Sequence, residues 1–211
     1  MTPSAASGAA GPRRRGRPAG PRSGEARDRI LAAARAEFAA RGYDSTSVRS
    51  IGKAAGVDAA LVHHYFGTKE QVFAAAIELS FAPTRELPDA LAGGGAGTRG
   101  EQVVRFFLRI WEDPDARGPL LAIVRSAVSN ETAAGVLRHM VGRTVIARVA
   151  GELDAPDAEF RVQLAAAQLV GMVMLRYVLQ VEPLASANTE TLVRNLAPTV
   201  QRYLTDPGVG P

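Results

Sequence analysis

The chain has 211 residues, enough for one compact fold or two small packed domains. With 46% hydrophobic and 22% charged residues it can bury a core, which excludes a collagen, a coiled-coil rod and a wholly disordered chain. It contains no cysteine, so disulfides, a thiolate nucleophile and Cys-ligated zinc are excluded as well. The net charge of +4 is unevenly spread: residues 1–70 carry twelve Lys and Arg against six Asp and Glu, and residues 71–211 carry thirteen against fifteen. A basic front and a mildly acidic back predict that only the front meets a polyanion. The longest apolar run, near Leu164 to Leu175, is interrupted by Gln168 and falls short of the ~20 residues a membrane span needs. No apolar secretory segment follows Met1, and the expectation is a soluble cytoplasmic protein with no membrane partner.

Residues 1–23 hold Pro, Gly, Ser, Ala and Arg with nothing to pack, which predicts a disordered basic arm. A helix is expected over about 25–41, where Ile30, Leu31, Ala34 and Phe38 recur at helical spacing and Gly42 supplies the stop. Thr46 is expected to cap a short helix near 47–54, with Val48, Ile51 and Ala55 facing inward. A third helix near 59–65 follows Gly56 and Val57, and Thr68 caps a fourth from Lys69 to about Phe81. Pro83, Pro88 and the run Gly93 to Gly97 read as a link. Five more helices are expected near 99–112, 117–129, 131–152, 156–181 and 188–205, the last kinked at Pro198. Acidic residues in most of their first turns suit the helix dipole. No bounded apolar alternation of period two occurs, so the fold class is all-α, with about nine helices.

The interval from Thr46 to Tyr65 narrows the function. A helix-turn-helix needs one helix laid across the phosphates, a tight turn, and a second helix whose outer face is free for the major groove. Ala55 is small where two helices approach, Gly56 can adopt positive φ, and Val57 anchors the turn. Leu61 or Val62, with Phe66, can hold the next helix down, which leaves Ala59, Ala60, His63 and His64 outward.

The run Thr46-Ser47-Val48-Arg49-Ser50-Ile51-Gly52-Lys53-Ala54-Ala55-Gly56-Val57, followed by His64-Tyr65-Phe66-Gly67-Thr68-Lys69-Glu70, resembles the TetR family of bacterial transcriptional repressors. The segment Ile30 to Ala34, Phe38 and Arg41-Gly42-Tyr43 matches that family's first helix, and the resemblance covers roughly residues 24–84. Two positions depart from the pattern: Leu61 stands where Thr is usual and His63 where Tyr is usual. Both lie on the reading helix, so no base preference can be borrowed from a relative.

The resemblance implies a three-helix DNA-binding domain at 24–84, its helix-turn-helix near 47–66, and a helical ligand-binding and dimerisation domain at 85–211. The implied DNA-binding residues are Thr46, Ser47, Arg49, Ala59, Ala60, Leu61, His63, His64, Tyr65 and Lys69. Thr46 or Ser47 at a helix start offers a hydroxyl and N–H groups to phosphate, and Tyr65 and Lys69 match backbone-gripping positions. Lys69 opens a helix where the dipole prefers an acid, which a phosphate partner explains. Alanine methyls can meet thymine methyls, and a histidine can donate to purine N7 or O6. The adjacent pair His63 and His64 points about 100° apart on a helix, so no metal site is expected there, nor any cofactor.

In the arm, Arg13-Arg14-Arg15-Gly16-Arg17-Pro18 is similar to the core of an AT-hook. Arg15 and Arg17 would then enter a narrow A·T minor groove; the plainer reading is a solvated basic tail.

In the back half, the helix near 156–181 is apolar almost all round, which predicts burial on both sides. The family pairs its last two long helices across a two-fold axis, and a homodimer of that kind implies an inverted-repeat operator. A pocket between helices would be lined by Phe106, Phe107, Trp111, Arg125, Met140, Arg143, Met172 and Tyr177. Mid-helix charges in this half are arginines (Arg105, Arg109, Arg125, Arg143, Arg148 and Arg176), which points to a neutral-apolar or anionic effector. The expected function is an effector-released dimeric repressor. A sequence-independent architectural protein is the alternative, and an all-α enzyme a weaker one. Gly95 to Gly100 matches a dinucleotide fingerprint but follows no strand, and no nucleophile elbow, Walker loop or HExxH is present.

Overall fold

The computed structural model describes residues 23–87 and 99–211. The arm with Arg15 and Arg17, and the link from Pro88 through the glycine run, lie outside the described residues.

Among the described residues the chain forms nine helices and no strand. The first four are α1 (Ser23–Ser45), α2 (Val48–Ala55), α3 (Ala59–Phe66) and α4 (Lys69–Ser80), followed by a 3-10 turn at Ala82–Glu86. Then come α5 (Arg99–Glu112) and α6 (Pro114–Ser129). Helix α7 runs from Glu131–Val141 through a π-helical turn at Gly142–Ile146 into Ala147–Gly151. Helix α8 is Ala158–Val173 extended by a second π turn at Met174–Val178, and α9 is Thr189–Thr205, continuous past Pro198.

Several boundaries differ from the sequence-based expectation for local reasons. Gly42 breaks the helical conformation at φ 72 and ψ 177, yet one more turn follows it to Ser45. The cap of α2 is Ser47, not Thr46: the Ser47 and Ser50 hydroxyls each accept the other's backbone N–H, at 3.0 and 3.1 Å. Helix α6 begins earlier than residue 117, because the Asp113 carboxylate caps it and Pro114 occupies the first position, where its missing N–H is no loss.

Two apolar clusters hold the molecule together. Ile30, Ala34, Phe38, Ile51, Val62, Val72, Phe73 and Ile77 form the front core, into which α6 and α7 send Ile123, Ala133 and Met140. Val104, Leu108, Trp111, Leu169, Val173, Val193 and Val200 are central to the back core. The halves are also tied by hydrogen bonds at the end of α1. Tyr43 N–H donates to the Ser126 hydroxyl at 3.1 Å, and the Asn130 amide donates to Asp44 at 2.7 Å.

Helix α8 is not buried on both sides. Val162, Ala165, Leu169, Met172 and Val173 face the back core, while Ala167, Gly171 and Leu175 are exposed. The 21 residues Ala158–Val178 are long and apolar enough for a membrane span, contrary to the shorter run read from sequence. Near the start of the same helix, however, Arg161 is only 2% exposed, and its guanidinium donates to the carbonyls of Pro156, Tyr203 and Asp206 at 3.1, 3.3 and 2.6 Å. A buried charge held by the end of α9 marks a helix of the protein core.

Candidate nucleic-acid interface and ligand cavity

The turn between α2 and α3 is built by small residues. Gly56 adopts φ 67, ψ 35 and ends α2, its N–H bonded to Lys53 O. The turn and the start of α3 lie close to Gly52, where an added Cβ would be 3.0 Å from Val57 O and 3.3 Å from Ala59 N. Sequence reasoning assigned that role to Ala55 alone; a buried glycine one turn earlier was the available signal. The Asp58 side chain caps α3 through the Ala60 N–H at 2.7 Å. Val62 is completely buried and is the anchor of α3, with Leu61 half-buried beside the front core.

That anchoring leaves Ala60, His63 and His64 exposed on α3 and Ala59 half-buried at its start. Arg49 is exposed at the start of α2 next to the exposed Ser47. Thr46 is the residue that does not fit: it is 2% exposed, and its hydroxyl is shared between Gly42 O at 2.8 Å and Glu37 O at 3.2 Å. Its proton is spent on closing α1, so it is not available to a phosphate.

Lys69 is aimed rather than free. Its Nζ lies 4.3 Å above the Tyr43 ring and donates to Asp44 O at 3.2 Å. The end of α1 thus holds a cation beside the outer end of α3. Tyr43 itself is buried against Phe38 and Phe73, and that burial, with Glu70 and Asp44 nearby, pushes its phenol above the usual range. Tyr65 is half-buried, with its ring edge-on to His64.

A cavity of about 360 Å³ opens between the end of α4 and helices α5 to α8. Its walls include Phe106, Phe107, Ile110 and Trp111 from α5, Val124 and Val128 from α6, Val141 and Val145 from α7, and Val162, Leu169 and Val170 from α8. Apart from the Trp111 indole, the lining contributes polar side-chain groups only at Ser80 and Thr84. Both hydroxyls are turned back onto the main chain, at Ala76 O and Phe81 O.

Of the eight residues expected around a ligand, the structure brings Phe106, Phe107 and Trp111 to the cavity. Met172 is packed in the back core and Met140 in the front core, as apolar residues at helical spacing usually are. Arg125 is exposed; Arg143, also exposed, lines with Met140, His139 and Arg148 a separate hollow between α4 and α7. Tyr177 stands behind the wall: its ring stacks on Trp111 and its hydroxyl donates to Glu112 at 2.8 Å. Burial raises the Tyr177 phenol above its ordinary range, so the hydroxyl stays protonated for that bond. Arg176 pairs with the same Glu112 at 3.1 Å. None of the mid-helix arginines lines the cavity.

These features meet matching relatives. The family model of bacterial regulatory proteins of the tetR family matches residues 30–76, and that of the tetracyclin repressor-like C-terminal domain matches residues 98–204. A TetR-family regulator from Streptomyces coelicolor A3 is 43% identical, with 89% of this chain and 100% of that one covered and a TM-score of 0.66. GusR of Salmonella enterica is 25% identical over 85% of this chain and 95% of its own, TM-score 0.63. A transcriptional regulator from Rhodococcus sp., 19% identical over 86% of this chain and 100% of its own, shares the fold at a TM-score of 0.67. No curated protein matches. With its exposed reading helix and its helical back half, the chain belongs to the TetR family of DNA-binding transcriptional regulators.

Proposed function

We propose that the protein is a homodimeric repressor that binds an inverted-repeat operator and is released by a neutral, apolar small molecule. The observation that carries the effector class is the cavity: its lining is apolar, and its two hydroxyls are already bonded to main-chain carbonyls. A charged ligand would lose its hydration there and find no counter-charge, which disfavours the anionic option left open by the sequence. The uncovered side of α8, with Ala167, Gly171 and Leu175 and then Leu179 and Val181 exposed, supports pairing of two copies through the last long helices. On that reading the protein acts in the cytoplasm, and the domain division falls at the link after Leu87. Exposed Ser47 and Arg49 and the aimed Lys69 contact phosphates while α3 enters the major groove. Arg15 and Arg17 in the arm add minor-groove contacts beside it.

Fluorescence anisotropy on a duplex selected from a random pool tests this reading. Two chains per duplex are expected, with release by 1-decanol and none at equal concentration by decanoate or decyltrimethylammonium. Equal binding to unselected DNA would favour the architectural alternative, and release by either ion alone would overturn the effector class.

A further inference from the structure

His63 is exposed on α3, and its Nδ1 lies 2.8 Å from the carbonyl oxygen of Gly67. A carbonyl can only accept, so Nδ1 carries the proton and donates it. In a neutral imidazole the other ring nitrogen, Nε2, is then a bare acceptor. The position of that carbonyl is set by the chain itself. Gly67 stands at φ 81, ψ −119, a conformation glycine alone adopts without strain, and a Cβ there would run into the Gln71 side chain. Its N–H also donates to His63 O at 2.9 Å, so residue 67 is bonded twice to the same histidine.

The groove offers Nε2 a restricted choice. Phosphate oxygens, guanine N7 and O6 and thymine O4 are all acceptors, and an acceptor gains nothing from them. Only the exocyclic amines, adenine N6 and cytosine N4, can donate to it in the major groove. We propose that His63 accepts, through Nε2, a hydrogen bond from one exocyclic amine, adenine N6 or cytosine N4, in each half-site. This rests on α3 being the reading helix, and it reverses the expectation that a histidine here donates to a purine. Ala59, Ala60 and Leu61 carry no hydrogen-bonding side chain, so direct polar readout from this face falls to His63 and His64.

The test uses the full chain at pH 8, above the range in which imidazoles ordinarily titrate. Nitrogen-15 NMR of the free protein reads which imidazole nitrogen of His63 bears the proton. Selection from a random duplex pool, followed by every single-base change in the selected site, reads the preference. A proton on Nδ1, and one half-site base pair whose preference of about five- to tenfold is lost in His63→Ala and also lost when its amine is removed (purine for adenine, or pyrimidin-2-one for cytosine), supports the proposal. A proton on Nε2 overturns it, as does a His63-dependent preference that survives removal of the amine and is lost when carbon replaces purine N7. Unchanged preferences in His63→Ala overturn it while leaving sequence-specific binding intact. Absence of any preference in the wild type would sink the proposal and the repressor reading together. His63→Arg, which donates only, should bind the amine-free site as well as the unmodified one, and so separates a base contact from a merely structural side chain.

Discussion

In α2, α3 and the first turn of α4, tasks fall to residues one at a time: Ser47 caps, Gly52 admits a neighbouring helix, Val62 anchors and Lys69 presents a cation steadied by Tyr43 and Asp44. The cavity between α5 and α8 works the other way, with some twenty side chains jointly bounding a space that no single one defines. Binding a polyanion needs discrete donors at set places, whereas binding an apolar molecule needs only absence of water and the right shape. The first kind of site can be altered position by position; the second responds to a change anywhere in its walls.

The sharpest way to break this contrast is a back-half residue with a task entirely its own. Arg161→Ala removes the guanidinium from the carbonyls of Pro156 and Tyr203, leaves Asp206 O with the Val209 N–H, and opens a hole where a 2% exposed side chain stood. It should cost about 3–5 kcal/mol in urea unfolding; a loss below about 1 kcal/mol would show that water replaces the guanidinium. The next largest effect belongs to the join between the halves. Ser126→Ala orphans the buried Tyr43 N–H and should cost about 1–3 kcal/mol by the same measurement, whereas Ser126→Thr should retain most of the stability. For the front, Lys69→Ala should weaken binding to every duplex by a similar factor, about tenfold, and reduce the salt slope by about one. A loss confined to the selected site would instead make Lys69 a base reader.

The smallest expected effect lies on the surface of the back half. Arg105 bonds Glu101 at 2.8 Å and Glu190 at 2.6 Å, which holds the Glu190 carboxyl below its usual range and raises the guanidinium. Because the folded-state value of Glu190 is depressed, this contribution is present above the ordinary carboxylate range and fades as pH falls through the lowered value. Arg105→Ala should therefore lower Tm slightly at pH 7 and hardly at all near pH 2. All three groups are exposed, so 1 M salt should remove most of the difference at pH 7 as well.

The same contrast explains what could be read in the sequence. Helix existence and order were legible throughout because apolar periodicity reports them directly, and Gly56, Thr68 and Val57 announced their turns. Outward placement of His63, His64 and Ala60 followed from where Val62 had to point. The Thr46 and Ser47 roles were exchanged because either hydroxyl can cap, and only the tertiary fold shows that Thr46 closes α1. Cavity walls were legible at Phe106, Phe107 and Trp111 and obscure elsewhere, since Met140 and Met172 carry the same apolar pattern in a packed core. The π turns at Gly142–Ile146 and Met174–Val178 rotate the later side chains out of the register a regular helix predicts. Arg161 carries no sign in sequence that two of its three carbonyl partners, at Tyr203 and Asp206, lie at the end of a helix some forty residues away.

Ile123, Ala133 and Met140 enter the front core from α6 and α7, so the boundary that divides the tasks does not divide the folding. A fragment ending at Leu87 would leave the front core without part of its cover. The chain is expected to melt in one calorimetric transition. For inheritance this makes the unit that can be shuffled larger than the unit that touches DNA. Recombination could exchange the outward residues of α3 freely, but a graft of the front onto a different back would succeed only if α6 and α7 travelled with it.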